Sequence, residues 1–217
     1  MVKLIFHRMA QKNYHTILTN IVSELKNNAA IKVVDSFIEE PLVDALITMV
    51  EMDTGLSFGQ SIKELYVYAG SCNIHWVSKI EFLLVEQGVS SQVEGHIQIL
   101  DLPTVVHGPD GNSWKNVTWF DHTEPDKIKD LKKLLPFDLG KAEEVICLKI
   151  NEKNFVDDDL FLLTPSTGKL TDLNTRLPEY FKNLEYSKGI EGWQLQMLRG
   201  LQKQSPIDDI INELFKK

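Results

Sequence analysis

The chain has 217 residues, 43% hydrophobic and 25% charged, proportions that suit one globular domain with a substantial core. Its formal charge of −8 argues against a phosphate-backbone ligand, which needs clustered basic side chains. No apolar run reaches membrane-spanning length, and the opening MVKLIFHRMAQKN, broken by His7 and Arg8, does not read as a secretory signal. Two cysteines, Cys72 and Cys147, sit in apolar strand-like runs and are expected as buried free thiols of a cytoplasmic protein.

In chain order, residues 13–28 carry a helical stripe of Ile17, Leu18, Ile21, Val22 and Leu25. We take residues 1–35 as a helical extension packed on a main domain of residues 36–217. Ser36 and Glu39 stand in capping-box spacing, and Pro41 suits a first helical turn. They predict a helix that buries Leu42, Leu46, Met49 and Val50 and stops at Gly55. Ser57 and Gln60 repeat the spacing ahead of Ile62, Leu65, Tyr66 and Ala69, one apolar stripe. Gly70 follows where a helix commonly ends on a residue tolerant of positive φ. The period then becomes two, with Cys72, Ile74 and Trp76 pointing one way and Asn73 and His75 the other.

The middle of the chain is strand-rich. Residues 80–85 are a short apolar run, and residues 95–100 alternate, with Ile97 and Ile99 inward and His96 and Gln98 outward. Pro109-Asp110-Gly111-Asn112 has turn chemistry. Residues 114–120 read as a short edge strand, and Thr123 as the cap of a short helix with Ile128 and Leu131 inward. Residues 145–150 and 159–164 are β-type, and Pro165-Ser166-Thr167-Gly168 turns the second back into Lys169-Leu170-Thr171. Three helices close the chain, marked by Leu177, Phe181 and Leu184, by Trp193, Met197 and Leu201, and by Ser205-Pro206 ahead of Ile207, Ile210, Ile211 and Leu214. Helices first, strands in the middle and helices last predict a single α+β domain, its central, mostly antiparallel sheet flanked by N-terminal and C-terminal helices.

This order resembles the SUKH superfamily, which takes in fungal cell-wall-synthesis regulators of the Smi and Knr type and many bacterial immunity proteins. The residues carrying the likeness are Leu56-Ser57, Ile62 to Tyr66, Ala69-Gly70 and Ile74-His75-Trp76. Ser57 stands where the family has proline, and Ala69 where it has asparagine. Downstream come a strand opening on Gly95, then Pro136-Phe137-Asp138 before another strand. A helix carrying Leu177, Glu179, Tyr180, Phe181 and Leu184 and closed by Gly192-Trp193 completes the likeness. It covers about residues 36–202 and implies a non-catalytic, protein-binding module.

The acids are clustered. Residues 33–61 contain Asp35, Glu39, Glu40, Asp44, Glu51 and Asp53 with no lysine or arginine, and Asp157-Asp158-Asp159 forms a second spot. Composition alone permits solvated helix faces and a loop. The resemblance implies instead an immunity protein that stoichiometrically inhibits a basic toxin domain, a nuclease fitting best. The expected contacts are Glu39, Glu40, Asp44, Asp53, Asp157, Asp158 and Asp159. A regulatory scaffold of the fungal type is the alternative.

Enzyme chemistry has one motif, Gly55-Leu56-Ser57-Phe58-Gly59, which matches a nucleophile elbow and makes a Ser57 hydrolase a remote alternative. No strand is predicted before Ser57, so an N-cap explains it better. His7, His15, His75, His96, His107 and His122 lack metal-ligand spacing, and no cofactor or metal is expected. His75 and His96 are expected as a cross-strand polar pair. Trp76, Trp114, Trp119 and Trp193 read as core or groove residues that would anchor an interface if exposed.

Overall fold

The computed structural model describes residues 13–84, 89–111, 114, 131–140, 144–199 and 206–215. Helix α1 (Asn13–Asn27) buries Ile17, Leu18, Ile21 and Leu25, the stripe expected of it. Asn28 then turns the chain, accepting from the Ala30 N–H and donating to the Leu214 carbonyl at 2.6 Å. Next come β1 (Ile31–Ile38), α2 (Asp44–Thr54), β2 (Ser57–Phe58), α3 (Gln60–Tyr68), β3 (Cys72–Leu84) and β4 (Val89–Ile99). After α4 (Leu102–His107) and a 3-10 turn (Pro109–Gly111) follow β5 (Leu134–Leu139), β6 (Val145–Lys149), β7 (Phe155–Val156), β8 (Asp159–Thr164) and β9 (Lys169–Arg176). Helices α5 (Leu177–Ser187), α6 (Trp193–Arg199) and α7 (Pro206–Phe215) complete the order.

The fold is α+β in one domain. Among the described residues seven strands form one antiparallel sheet in the order β1-β3-β4-β5-β6-β8-β9, while β2 and β7 form a separate parallel pair. Strands β5, β6 and β8 are buried on both faces, so their residues divide by period two between two clusters. Leu135, Ile146, Leu148 and Leu162 join the main core with α1, α3 and α5. Leu134, Val145, Cys147 and Leu163 form a smaller one with Trp114 and Leu131. Both cysteines are buried free thiols, as expected.

One contact ties the sheet to its helices. Trp76 is fully buried, and its Nε1 donates to the Lys188 carbonyl at 2.8 Å. The indole lies over Gly95 on the neighbouring strand, where an added Cβ would sit 2.1 Å from Nε1. Lys188 has φ 54°, ends α5, and pairs its ammonium with Glu24 of α1 at 2.7 Å. The turn after it runs beside β4: the His96 N–H donates to the Gly189 carbonyl, and the Glu191 N–H to the Glu94 carbonyl. Further along, β4 meets β5 at Ile99 and Asp138.

Asp138 is a buried polar centre. Its Oδ2 accepts from the Tyr180 hydroxyl at 2.6 Å, and its Oδ1 from the Gln98 N–H at 3.1 Å. Burial pushes its carboxyl up to about 6, against the opposing pull of those two hydrogen bonds.

Both edges of the sheet are interrupted. β1 is bulged between Val33 and Asp35. On β9, Asn174 has φ 49° and its N–H is taken by the Asp172 carboxylate at 2.7 Å.

Several expectations need correcting. Ser36 lies inside β1, paired with Ile74, so it caps no helix. α2 begins at Asp44 after an extended Val43 with no side-chain cap, though Gly55 ends it at φ 67° as expected. It buries Ile47, while Leu46 and Met49 are exposed, because α2 lies at the rim and touches α3 and α4 along a narrow line. Ser57 belongs to β2, and the N-cap of α3 is Gly59. Pro136-Phe137-Asp138 lies within β5. Residues 80–84 extend β3 instead of forming a run of their own. Residues 115–120, Thr123, Ile128, Leu201 and Ser205 lie outside the described residues.

Two measurements follow. Gly95→Ala is expected to lose about 1–3 kcal/mol, because its methyl must displace a fully buried indole, read from urea midpoints. Asp138 holds its proton more tightly folded than unfolded, so its effect on stability worsens as pH rises from about 4 through 6. Asp138→Asn should flatten the profile there by on the order of 2 kcal/mol.

Candidate protein-docking face

The exposed side of α2 is apolar. Leu46, Met49 and Met52 follow Val43 at intervals of three, and Met49 and Met52 are 62% and 80% exposed. Each step of three residues turns about 60° around the axis, so Leu46, Met49 and Met52 form a ridge, an apolar band that winds obliquely across the exposed side of α2. A helix that buries Ile47 alone needs no such band for its own packing.

Acids rim the band. Glu40 is exposed ahead of the helix, Asp44 occupies its first turn, and Asp53 is exposed at its end, 3.6 Å from the His107 ring. Between α2 and α3 runs a groove of about 400 Å³ lined by Asp44, Ile47, Gln60, Lys63, Glu64 and Tyr68, among others. Lys63 is engaged by Glu51 at 2.8 Å, and the Glu51 carboxylate also accepts from the Phe58 N–H. Burial alone would raise the Glu51 carboxyl, but the hydrogen bonds from Lys63 and Phe58, with the Lys63 charge, hold it below its ordinary value. Glu51 therefore clamps α2 to the β2–α3 connection.

The other expected contacts divide sharply. Glu39 accepts from the Ser71 hydroxyl at 2.6 Å and fastens the chain before α2 to the turn after α3. Asp158 is 6% exposed, within 3.9 Å of Arg176, and burial pushes its carboxyl above the ordinary range. It offers little surface to a partner. Asp159 is exposed but paired with Arg176 at 3.1 Å. Asp157 is exposed, and its Oδ1 would lie 3.4 Å from a Cβ on Gly59, because β2–β7 pairing brings the two acidic regions together. That proximity is invisible in the sequence.

Leu46 and Met49 were expected in the core, and Met52 and Val43 were not singled out. The signal available was that α2 is apolar nearly all round (Leu46, Ile47, Met49, Val50 and Met52), more than a one-sided rim helix can bury. Trp76, Trp114 and Trp193 are buried and so anchor no surface, while Trp119 lies outside the described residues.

His75 and His96 face each other across β3 and β4 with ring centroids 5.9 Å apart, as expected, and His75 Nε2 lies 3.5 Å from Glu94. Among the described residues no group of three or more His, Cys, Asp or Glu could hold a metal ion. No described helix is long and apolar enough to cross a membrane. Ser57 is not among the residues with positive φ, whereas a nucleophile elbow is sharply strained. Its N–H donates to the Asn154 carbonyl in the β2–β7 pair. His7 and His122 lie outside the described residues.

Comparison with protein-family models, with curated proteins and with solved structures finds no match. The geometry of this surface therefore carries the functional reading.

An N-cap serine contributes about 1 kcal/mol, and an exposed strand serine much less. Ser57→Ala should shift stability by less than about 0.5 kcal/mol, and a serine-reactive fluorophosphonate should leave Ser57 unlabelled, checked by melting curves and peptide mass.

Proposed function

We propose that this chain is a non-catalytic, cytoplasmic protein-binding module of the SUKH type, acting as an immunity protein against a basic toxin domain. The observation carrying the reading is the acid-rimmed apolar band on α2, which the fold does not need for its own packing. A basic partner, a nuclease toxin domain fitting best, gains twice from such a surface. Glu40, Asp44 and Asp53 raise the encounter rate, and burying Leu46, Met49 and Met52 lengthens the complex's lifetime. The order of a helix, Gly70 at φ 61°, the strand carrying Trp76, a second strand with Gly95, the Pro136-Phe137-Asp138 strand and the closing α5 supports the SUKH assignment.

One feature favours a regulatory scaffold as the second reading. Two of the band's side chains are methionines, flexible and polarizable, a composition common on surfaces that accept several partners.

A tagged pull-down from the native cell separates the two. One stoichiometric basic protein whose enzymatic activity disappears in the complex supports immunity, and several substoichiometric partners support the scaffold. For the captured partner, the triple change Glu40→Gln, Asp44→Asn, Asp53→Asn should slow association about tenfold at low salt with little loss of stability. Met49→Ser with Met52→Ser should speed dissociation. Unchanged rates in both variants would remove α2 from the interface.

A further inference from the structure

Edge strand β9 and helices α5, α6 and α7 enclose a concave cavity of about 380 Å³. None of the described residues lining it lies on α2, so it is distinct from the docking face above. Its volume is within the range of small-molecule sites. Leu173, Met197 and Ile207 supply apolar surface, and Asn183 and Gln196 add side-chain amides. Tyr186 lines the cavity too and donates to Asp208 at 2.7 Å, which ties α5 to α7 and sets the spacing of two walls.

Trp193, also in the lining, carries an unanswered donor. It is 3% exposed and packs against Tyr180 with ring centroids 4.8 Å apart, so its indole is held in place. Its Nε1 is buried and finds no acceptor among the described residues. Trp76 and Trp114 differ, since their indoles donate to the Lys188 and Val105 carbonyls. A buried indole N–H usually has such a partner, and leaving one without costs more than a made hydrogen bond contributes. An occupant of the cavity can supply the oxygen. Met197 stands one helical turn beyond Trp193, on the same side of α6. Its unbranched side chain repacks readily, so an entering oxygen can reach the enclosed N–H.

Charge restricts what that oxygen belongs to. Glu179 lines the cavity, Asp208 follows Ile207 in its α7 wall, and the described lining residues include no lysine or arginine. A carboxylate or phosphate would meet like charge there, and a simple cation would bring no acceptor. An uncharged carbonyl oxygen meets both conditions.

We infer that this cavity binds a small uncharged molecule with an apolar body and a carbonyl oxygen. The oxygen accepts from Trp193 Nε1, and the body packs on Leu173, Met197 and Ile207.

The test uses the whole chain with three probes, benzamide, benzoate and benzylamine, which share a ring and differ in the group they present. Benzamide should shift the Trp193 indole N–H resonance saturably in proton–nitrogen NMR spectra, and benzoate and benzylamine should move it far less. Trp193→Phe keeps an aromatic ring and removes the donor. Its affinity for benzamide, read by ligand-detected NMR, should fall about tenfold, the worth of one buried hydrogen bond. Asn183→Phe fills the cavity and should abolish the shift while the indole resonance of the folded protein persists. No saturable shift with benzamide, an equal shift with benzoate, or a shift that survives Asn183→Phe would each overturn the inference. So would a folded Trp193→Phe chain that binds benzamide as tightly as the parent. Where Trp193→Phe does not fold, the probe comparison and Asn183→Phe decide.

Discussion

The placement of Trp76 over Gly95 is the constraint from which the rest of the architecture takes its geometry. A glycine on β4 leaves room for an indole from β3, and the indole's N–H fixes the carbonyl at the end of α5. That carbonyl belongs to Lys188, whose ammonium meets Glu24, so α1 and α5 are held together at the same point. Trp76 and Lys188 are buried, and a buried donor without an acceptor costs more than its hydrogen bond contributes when made. The turn after Lys188 can then serve as a partial strand for β4, satisfying backbone groups where β5 does not reach.

A core fixed from within leaves α2 free to serve another purpose. The helix is held by Ile47, by the Glu51–Lys63 clamp and by the β2–β7 pair, three attachments that leave its outer side uncommitted. Exposed methionines lend the fold little stability, yet each one removed from water in a complex contributes on the order of 1.5–3 kcal/mol. The acids around them work at longer range, steering and selecting charge. Stability and recognition thus occupy different elements.

Much of the fold was legible in the sequence where local pattern and tertiary demand agree. The alternation through Cys72, Ile74 and Trp76, the stripe from Ile62 to Tyr66, and the stop at Gly55 all report periods and conformations that the final packing keeps. Two of the misreadings share one cause. Ser36 and Ser57 each stand three residues before a Glu or Gln, yet each is taken into a strand by a partner remote in sequence, Ile74 for Ser36 and Phe155 for Ser57. Capping spacing is a local signal, and pairing with a distant strand overrides it. The docking face was half legible: Glu40, Asp44 and Asp53 were found by charge. Its apolar part was hidden, because hydrophobicity in a helix does not say which side is covered. Asp158 is an acid drawn inward by Arg176 and Ser61, which counting alone does not show.

The interruptions at the two outermost strands have a bearing on how this chain behaves in a crowded solution. A sheet whose flanks offer unbroken rows of amide and carbonyl groups can recruit identical copies and grow into fibrils. Here the bulge at Val34, flanked by exposed Lys32 and Asp35, breaks the row along β1 even though Val34 and Phe37 are sticky enough to invite addition. On β9 the left-handed Asn174, its N–H already claimed by Asp172, does the same. An acidic protein with an uncovered apolar helix has reason to be guarded in this way, because the face that welcomes a partner must not be accompanied by flanks that welcome every copy of itself.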